Sequence, residues 1–152
     1  MKAARRVALF WPMVERHEVD LRPLDEALRA RGVRVAYPAI DPETHRMCFR
    51  FVESPTELEE RGTGFREPAP SATECARGDL DLVVVPAIVL APTGHRIGYG
   101  AGYYDRTIST VAPPAMTVGV GYDYQLLAEV PVTEGDIALD WIVTDARVLR
   151  AQ

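Results

Sequence analysis

The chain has 152 residues, 47% of them hydrophobic and 26% charged, with a net charge of −5 and two cysteines, Cys48 and Cys75. This balance suits one globular domain, 1–152, and argues against a disordered or membrane-spanning chain. The acidic surplus argues against broad nucleic-acid binding, although a few arginines focused in a cleft can still attract a small anion.

The basic opening, residues 1–6, leads into a brief apolar stretch that ends at Pro12 without a signal-type cleavage site, so secretion is not expected. Neither cysteine has a second thiol at metal-ligand spacing, and both read as reduced thiols of a cytoplasmic protein. Residues 7–11 are continuously apolar, as in a strand buried on both faces. Asp20 then caps a predicted helix that carries Pro23 in its first turn, Leu24, Ala27 and Leu28 at helical spacing, and Gly32 at its end. Residues 33–37 return to extended chain up to Pro38, which completes a right-handed βαβ unit. Met47, Phe49 and Phe51 alternate along a further strand with one better-buried side.

Residues 53–77, rich in Glu, Pro, Gly and Ser, read as a long surface excursion with one helical turn at 56–60. Residues 82–86 are unbroken aliphatic chain into Pro86 and are placed at the sheet centre. A helix is predicted over 102–111, closed by Pro113 and Pro114. A strand over 116–121, a helical turn at 124–128 and a last strand over 140–144 follow. Elements in this order give an α/β fold: a mostly parallel central sheet with helices on both faces, a Rossmann-like three-layer sandwich.

Between the central strand and the second helix lies His95-Arg96-Ile97-Gly98-Tyr99-Gly100-Ala101-Gly102-Tyr103-Tyr104-Asp105-Arg106. Alternating glycines let backbone N–H groups approach an anion, and a helix starting at 102 or 103 would aim its unpaired donors at the same place. A tight turn that binds nothing has the same spacing. The stretch is neither a P-loop, lacking Gly-Lys-Ser/Thr, nor the dinucleotide fingerprint, whose third glycine would stand at Tyr103.

These segments together resemble the 5-formyltetrahydrofolate cyclo-ligases. The similarity runs in register from Arg6-Val7-Ala8-Leu9-Phe10 and Glu18-Val19-Asp20, through Phe65-Arg66-Glu67-Pro68 and the strand and glycine stretch, to Val130-Pro131-Val132, Asp136 and Asp140-Trp141-Ile142-Val143-Thr144. The resemblance implies ATP-dependent cyclisation of 5-formyltetrahydrofolate to 5,10-methenyltetrahydrofolate with Mg²⁺. It implies Arg96 and Tyr103 as catalytic residues, and ATP contacts from Arg96, Gly98, Tyr99, Gly100, Ala101, Gly102, Tyr103, Tyr104 and Arg106. Folate would meet Trp11, Glu18, Met47 and Tyr103, and Asp105 and Asp136 would hold Mg²⁺. Read without the resemblance, Asp105 is a helix first-turn carboxylate and Asp136 a turn residue.

The expected partners are these small-molecule substrates, with neither nucleic acid nor membrane, and the expected state is a monomer or weak homodimer. Members usually begin with a basic helical segment that contributes cations to the phosphates. Here Lys2, Arg5 and Arg6 do not align with it, and Ala101 supplies no side-chain cation in the glycine stretch, which leaves Arg96 and Arg106 with more of the charge. The alternatives are a folate- or nucleotide-binding protein of the same fold without turnover, and part of a longer enzyme.

Overall fold

The computed structural model describes residues 3–41, 43–62, 64–99 and 102–152. In chain order its elements are β1 (Arg6–Ala8), α1 (Arg22–Ala30), β2 (Arg34–Ile40), β3 (Met47–Val52), β4 (Glu59–Glu60), β5 (Arg66–Glu67), β6 (Leu82–Pro86), β7 (Val89–Leu90), β8 (Arg96–Ile97), α2 (Tyr103–Val111), β9 (Met116–Val120), β10 (Trp141–Val143) and β11 (Val148–Arg150). Among the described residues, seven strands form one sheet in the order β11-β10-β9-β6-β1-β2-β3. The strands from β10 to β2 are parallel to their neighbours, and β11 and β3 are added antiparallel at the two edges.

The unbroken aliphatic run of β6 is explained by its central place, because both faces of this strand are covered. Val83 and Val85 face a cluster with Phe49, Ile108 and Val111, which includes the buried side of α2. Val84 faces the opposite cluster with Val7, Leu9, Val35 and Tyr37, which Leu28 of α1 joins. Each face of the sheet therefore carries one helix, as the order of elements predicts.

Local chemistry differs from the sequence reading in four places. Leu21, not Asp20, is the N-cap of α1 and makes no side-chain cap bond; Asp20 instead accepts the Arg22 N–H at 3.0 Å and grips the Arg22 guanidinium. The other end follows expectation: Gly32, at φ +79, lets its own N–H reach Arg29 O and that of Val33 reach Leu28 O, both at 3.0 Å.

The second difference is β2, which runs through Pro38 to Ile40. Ala36 O accepts from Leu9 N–H, so alternate residues of β2 turn their backbone groups toward β1. Position 38 faces that way beyond the end of β1, so the N–H that proline lacks has no ladder partner to lose. Third, the small β7–β8 hairpin has Val89 opposite Ile97. Fourth, β11 pairs with β10 after the last expected strand.

The excursion over 53–77 is fastened to the sheet rather than loose. Phe51 N–H donates to Thr73 O at 2.9 Å, and Cys75 N–H donates to Phe49 O at 2.8 Å, so residues 73–75 run along the outer edge of β3. Its helical turn is a 3-10 turn, Pro55–Glu57, in which Ser54 and Glu57 form a capping box.

Candidate active site

From β1 the chain passes to β2 on one side, and from β6 it passes to β9 on the other. A crevice must open where neighbouring strands diverge in this way, outside their carboxyl ends. A cleft of about 540 Å³ lies there, lined by Phe10 and Trp11 beyond β1, by Pro86 at the end of β6, and by Pro38, Ile40 and Met47 at the same end of β2 and β3. Of the residues singled out in the sequence, Trp11, Glu18, Met47, Arg96, Gly98, Tyr99, Gly102, Tyr103, Tyr104, Asp105 and Asp136 all line it. Gly100 and Ala101 lie outside the described residues. Arg106 is exposed and is not part of the lining; its guanidinium packs over the Tyr103 ring, 5.4 Å from the centroid.

One wall is built on Arg96. β8 carries it beneath α2, where its guanidinium sits 5.3 Å from the Tyr104 ring centroid and donates through Nη1 to Pro86 O at 3.1 Å. Its Nε is buried without a hydrogen-bond partner. Burial pulls the Arg96 pKa down, opposed by the charges of Asp105, Tyr104, Asp136 and Tyr99; a guanidinium nevertheless stays charged, so the cleft holds a poorly solvated cation.

Tyr104 is the inward-facing tyrosine. It packs on Phe49 with centroids 6.4 Å apart, and burial pushes its phenol up. The helix that carries both tyrosines begins at Gly102, φ +71, with no side-chain cap. Its first N–H groups, free of intrahelical partners, are therefore available to an anion.

The carboxylates come together through the closing segment. Asp105 Oδ1 accepts the Ile137 N–H at 3.2 Å, and Asp136 Oδ2 accepts from Thr133 N–H at 2.8 Å and Thr133 Oγ1 at 3.2 Å. Leu139 N–H donates to Gly94 O at 2.8 Å, which ties this segment to the turn that opens the glycine stretch. Among the described residues no group of three or more His, Cys, Asp or Glu is gathered to hold a metal ion. Two carboxylates fit a Mg²⁺ ion that draws its remaining ligands from phosphates and water, which is this cation's common mode of binding.

The opposite wall comes from the loop after β1. Trp11 meets Tyr37 edge-on at 6.2 Å, and Tyr37 is itself held from behind, its hydroxyl donating to buried Asp25 at 2.5 Å. Glu18 follows His17, whose φ of +53 reverses the chain, and its Oε1 accepts the Met13 N–H at 3.1 Å. Burial pushes the Glu18 carboxyl up; the Met13 N–H and Arg16 oppose it. Arg16 and Phe65 are among the lining residues to which the sequence assigned no site role. Arg16 stacks over Tyr99, 4.3 Å from the ring centroid, and Phe65 reaches in from the excursion after β3. Spacing could not single out Arg16 among neighbouring charged residues, since a 3-10 turn decides which of them faces inward.

The 5-formyltetrahydrofolate cyclo-ligase family model matches residues 1–145. The 5-formyltetrahydrofolate cyclo-ligase of Escherichia coli K12 is 30% identical over 160 residues, covering 97% of this chain and 88% of that protein. The solution structure of Aquifex aeolicus 5,10-methenyltetrahydrofolate synthetase superposes with a TM-score of 0.81 at 30% identity, covering 98% of this chain and 73% of that one. The Mycoplasma pneumoniae 5,10-methenyltetrahydrofolate synthetase, at 21% identity and a TM-score of 0.72 over 94% of this chain and 74% of its own, shares the fold.

Proposed function

This chain belongs to the 5-formyltetrahydrofolate cyclo-ligase family, and we propose on that premise that it closes 5-formyltetrahydrofolate to 5,10-methenyltetrahydrofolate with conversion of ATP to ADP and phosphate. The observation that carries this reading is the meeting of two unlike walls in one cleft. On one stand Arg96, Asp105, Asp136 and an uncapped helix N-terminus; on the other stand Trp11, Met47 and Glu18.

A formamide oxygen is a poor leaving group. Transfer of the γ-phosphoryl group onto that oxygen breaks the bond to ADP and makes the oxygen part of a phosphate. The folate N10 then attacks the formyl carbon, the carbon–oxygen bond breaks as phosphate departs, and N10 gives up its proton. For such transfer the protein chiefly positions and stabilises charge.

Arg96 would face the transferring group, its buried Nε supplied with an acceptor only when an anion arrives. Gly98, Tyr99, Gly100, Ala101, Gly102 and Tyr104 would border the phosphates, and Arg106 would add charge from outside the cleft. Tyr103 stands between the two substrates. Glu18 would accept from pterin N–H groups while Trp11 and Met47 offer apolar surface. Asp105 and Asp136 would hold Mg²⁺, which when bound draws charge from the phosphate oxygens. We propose a single domain acting in the cytoplasm as a monomer or weak homodimer, without nucleic-acid or membrane partners; no helix among the described residues is long and apolar enough to cross a membrane.

The test is appearance of the methenyl product by its ultraviolet absorbance in 5-formyltetrahydrofolate, MgATP and protein. Product should require both substrates, and Arg96→Ala should form it roughly 10³-fold more slowly. Natively folded wild-type protein that forms no product would overturn the reading.

A further inference from the structure

Arg16 has no part in the chemistry above, yet it lines the same cleft as Glu18. The 3-10 turn Val14–Arg16 presents it, with the Arg16 N–H donating to Met13 O at 2.9 Å. Its guanidinium lies over the Tyr99 ring. Among the described residues it forms no salt bridge, and Glu18 accepts from the Met13 N–H instead. A guanidinium stacked by its face keeps its N–H donors at the edge. Arg16 is also hydrogen-bonded to Tyr99 and feels the charge of Glu18, so Tyr99 holds the guanidinium near a carboxylate while its remaining N–H donors stay free for a ligand.

A pterin shows along one edge an acceptor, the C4 carbonyl oxygen, followed by two donors, N3–H and the 2-amino group. A carboxylate matches the two donors and leaves the carbonyl without a partner. We propose that Arg16 donates to the C4 carbonyl oxygen while Glu18 accepts from N3–H and the 2-amino group, so that the pair selects a 4-oxo pteridine over its 4-amino counterpart. This assignment rests on the folate reading given above. In the 4-amino form a donor faces the guanidinium and a bare ring nitrogen faces the carboxylate, so both contacts become mismatched. Arg16 is exposed at the cleft mouth, which sets the expected discrimination at roughly tenfold rather than the far larger factors of buried sites.

The experiment is calorimetric titration of wild type, Arg16→Ala and Arg16→Lys with 5-formyltetrahydrofolate, with its 4-amino counterpart and, separately, with MgATP. Wild type should prefer the 4-oxo ligand by roughly tenfold. Arg16→Ala should bring the ratio close to one with MgATP affinity unchanged, and Arg16→Lys, which keeps a donor but loses the planar stack, should retain part of it. An unchanged ratio, equal weakening of both pteridines, or a loss confined to MgATP overturns the assignment. If Arg16→Ala fails to fold, the Arg16→Lys ratio decides. Wild-type protein that binds neither pteridine overturns the folate reading itself, a result distinct from an unchanged ratio.

Discussion

The Cβ that Gly98 lacks would lie 2.5 Å from Nη1 of Arg96. Gly98 is thus explained by the space its neighbour's guanidinium occupies, not by an unusual backbone angle, and it keeps Arg96 seated against Pro86 O and Tyr104. Gly98→Ala should push aside the end of a flexible side chain at little cost to folding, leaving the denaturation midpoint nearly unchanged. A displaced Arg96 should lower kcat/KM by roughly 10- to 100-fold. Parallel melting and product assays check the pair of effects.

Glu18 gives a pH signature. Its folded-state pKa lies above the ordinary 4.5 because of burial, so its ionisation disfavours the folded state as pH rises through the folded pKa. That penalty is absent below the unfolded value, where both states are protonated. At pH 7, Glu18→Gln should therefore melt slightly higher than wild type, by no more than about 2 °C after allowance for solvent exposure, and the gain should vanish in acid. Folate affinity should move oppositely: wild type should lose it on acidification with a midpoint above 4.5, whereas Glu18→Gln should bind weakly throughout.

Behind Trp11, Asp25 accepts from Tyr37 Oη at 2.5 Å and from Arg29 Nε at 2.8 Å, while Arg29 Nη1 donates to Val52 O at 2.8 Å. Removing the carboxylate strands a largely buried cation, so Asp25→Ala should cost about 3 kcal/mol and Tyr37→Phe about 1 kcal/mol, as measured by urea denaturation. The Tyr37 phenol is held un-ionised well above its ordinary 10.0 by burial and by Asp25. The unfolded chain therefore releases its proton first, and stability should fall as pH climbs past 10. Tyr37→Phe should lack that component.

Asp105→Asn keeps an oxygen for the Ile137 N–H and removes the charge. The fold should persist while the Mg²⁺ concentration for half-maximal rate rises by roughly tenfold. Rate measured against Mg²⁺ at fixed ATP checks this, and an unchanged Mg²⁺ requirement would take Asp105 out of metal binding.

The large features of the fold were legible because they rest on burial. The aliphatic run of β6 marked the sheet centre, and alternation of Met47, Phe49 and Phe51 marked β3, observed over Met47–Val52. β7, β8 and β11, each two or three residues long, were hidden because so few positions show no period. Pro38 read as a stop because sequence alone does not reveal that β1 ends before it. In the site, glycines and family motifs marked the Arg96 wall, of which Arg96, Gly98, Tyr99, Gly102, Tyr103, Tyr104 and Asp105 line the cleft. Arg16 depended on a loop turn and on Tyr99, more than 80 positions away, and Arg106 turned outward along the first turn of α2.

The central claim is that the two walls serve one coupled reaction, and the direct measurement is the ratio of methenyltetrahydrofolate formed to ADP released by the wild-type protein with 5-formyltetrahydrofolate and MgATP. Coupling predicts one product per ADP, with negligible ADP when the folate is omitted. ADP release that ignores the folate, or folate binding with no product and no ADP, would contradict it.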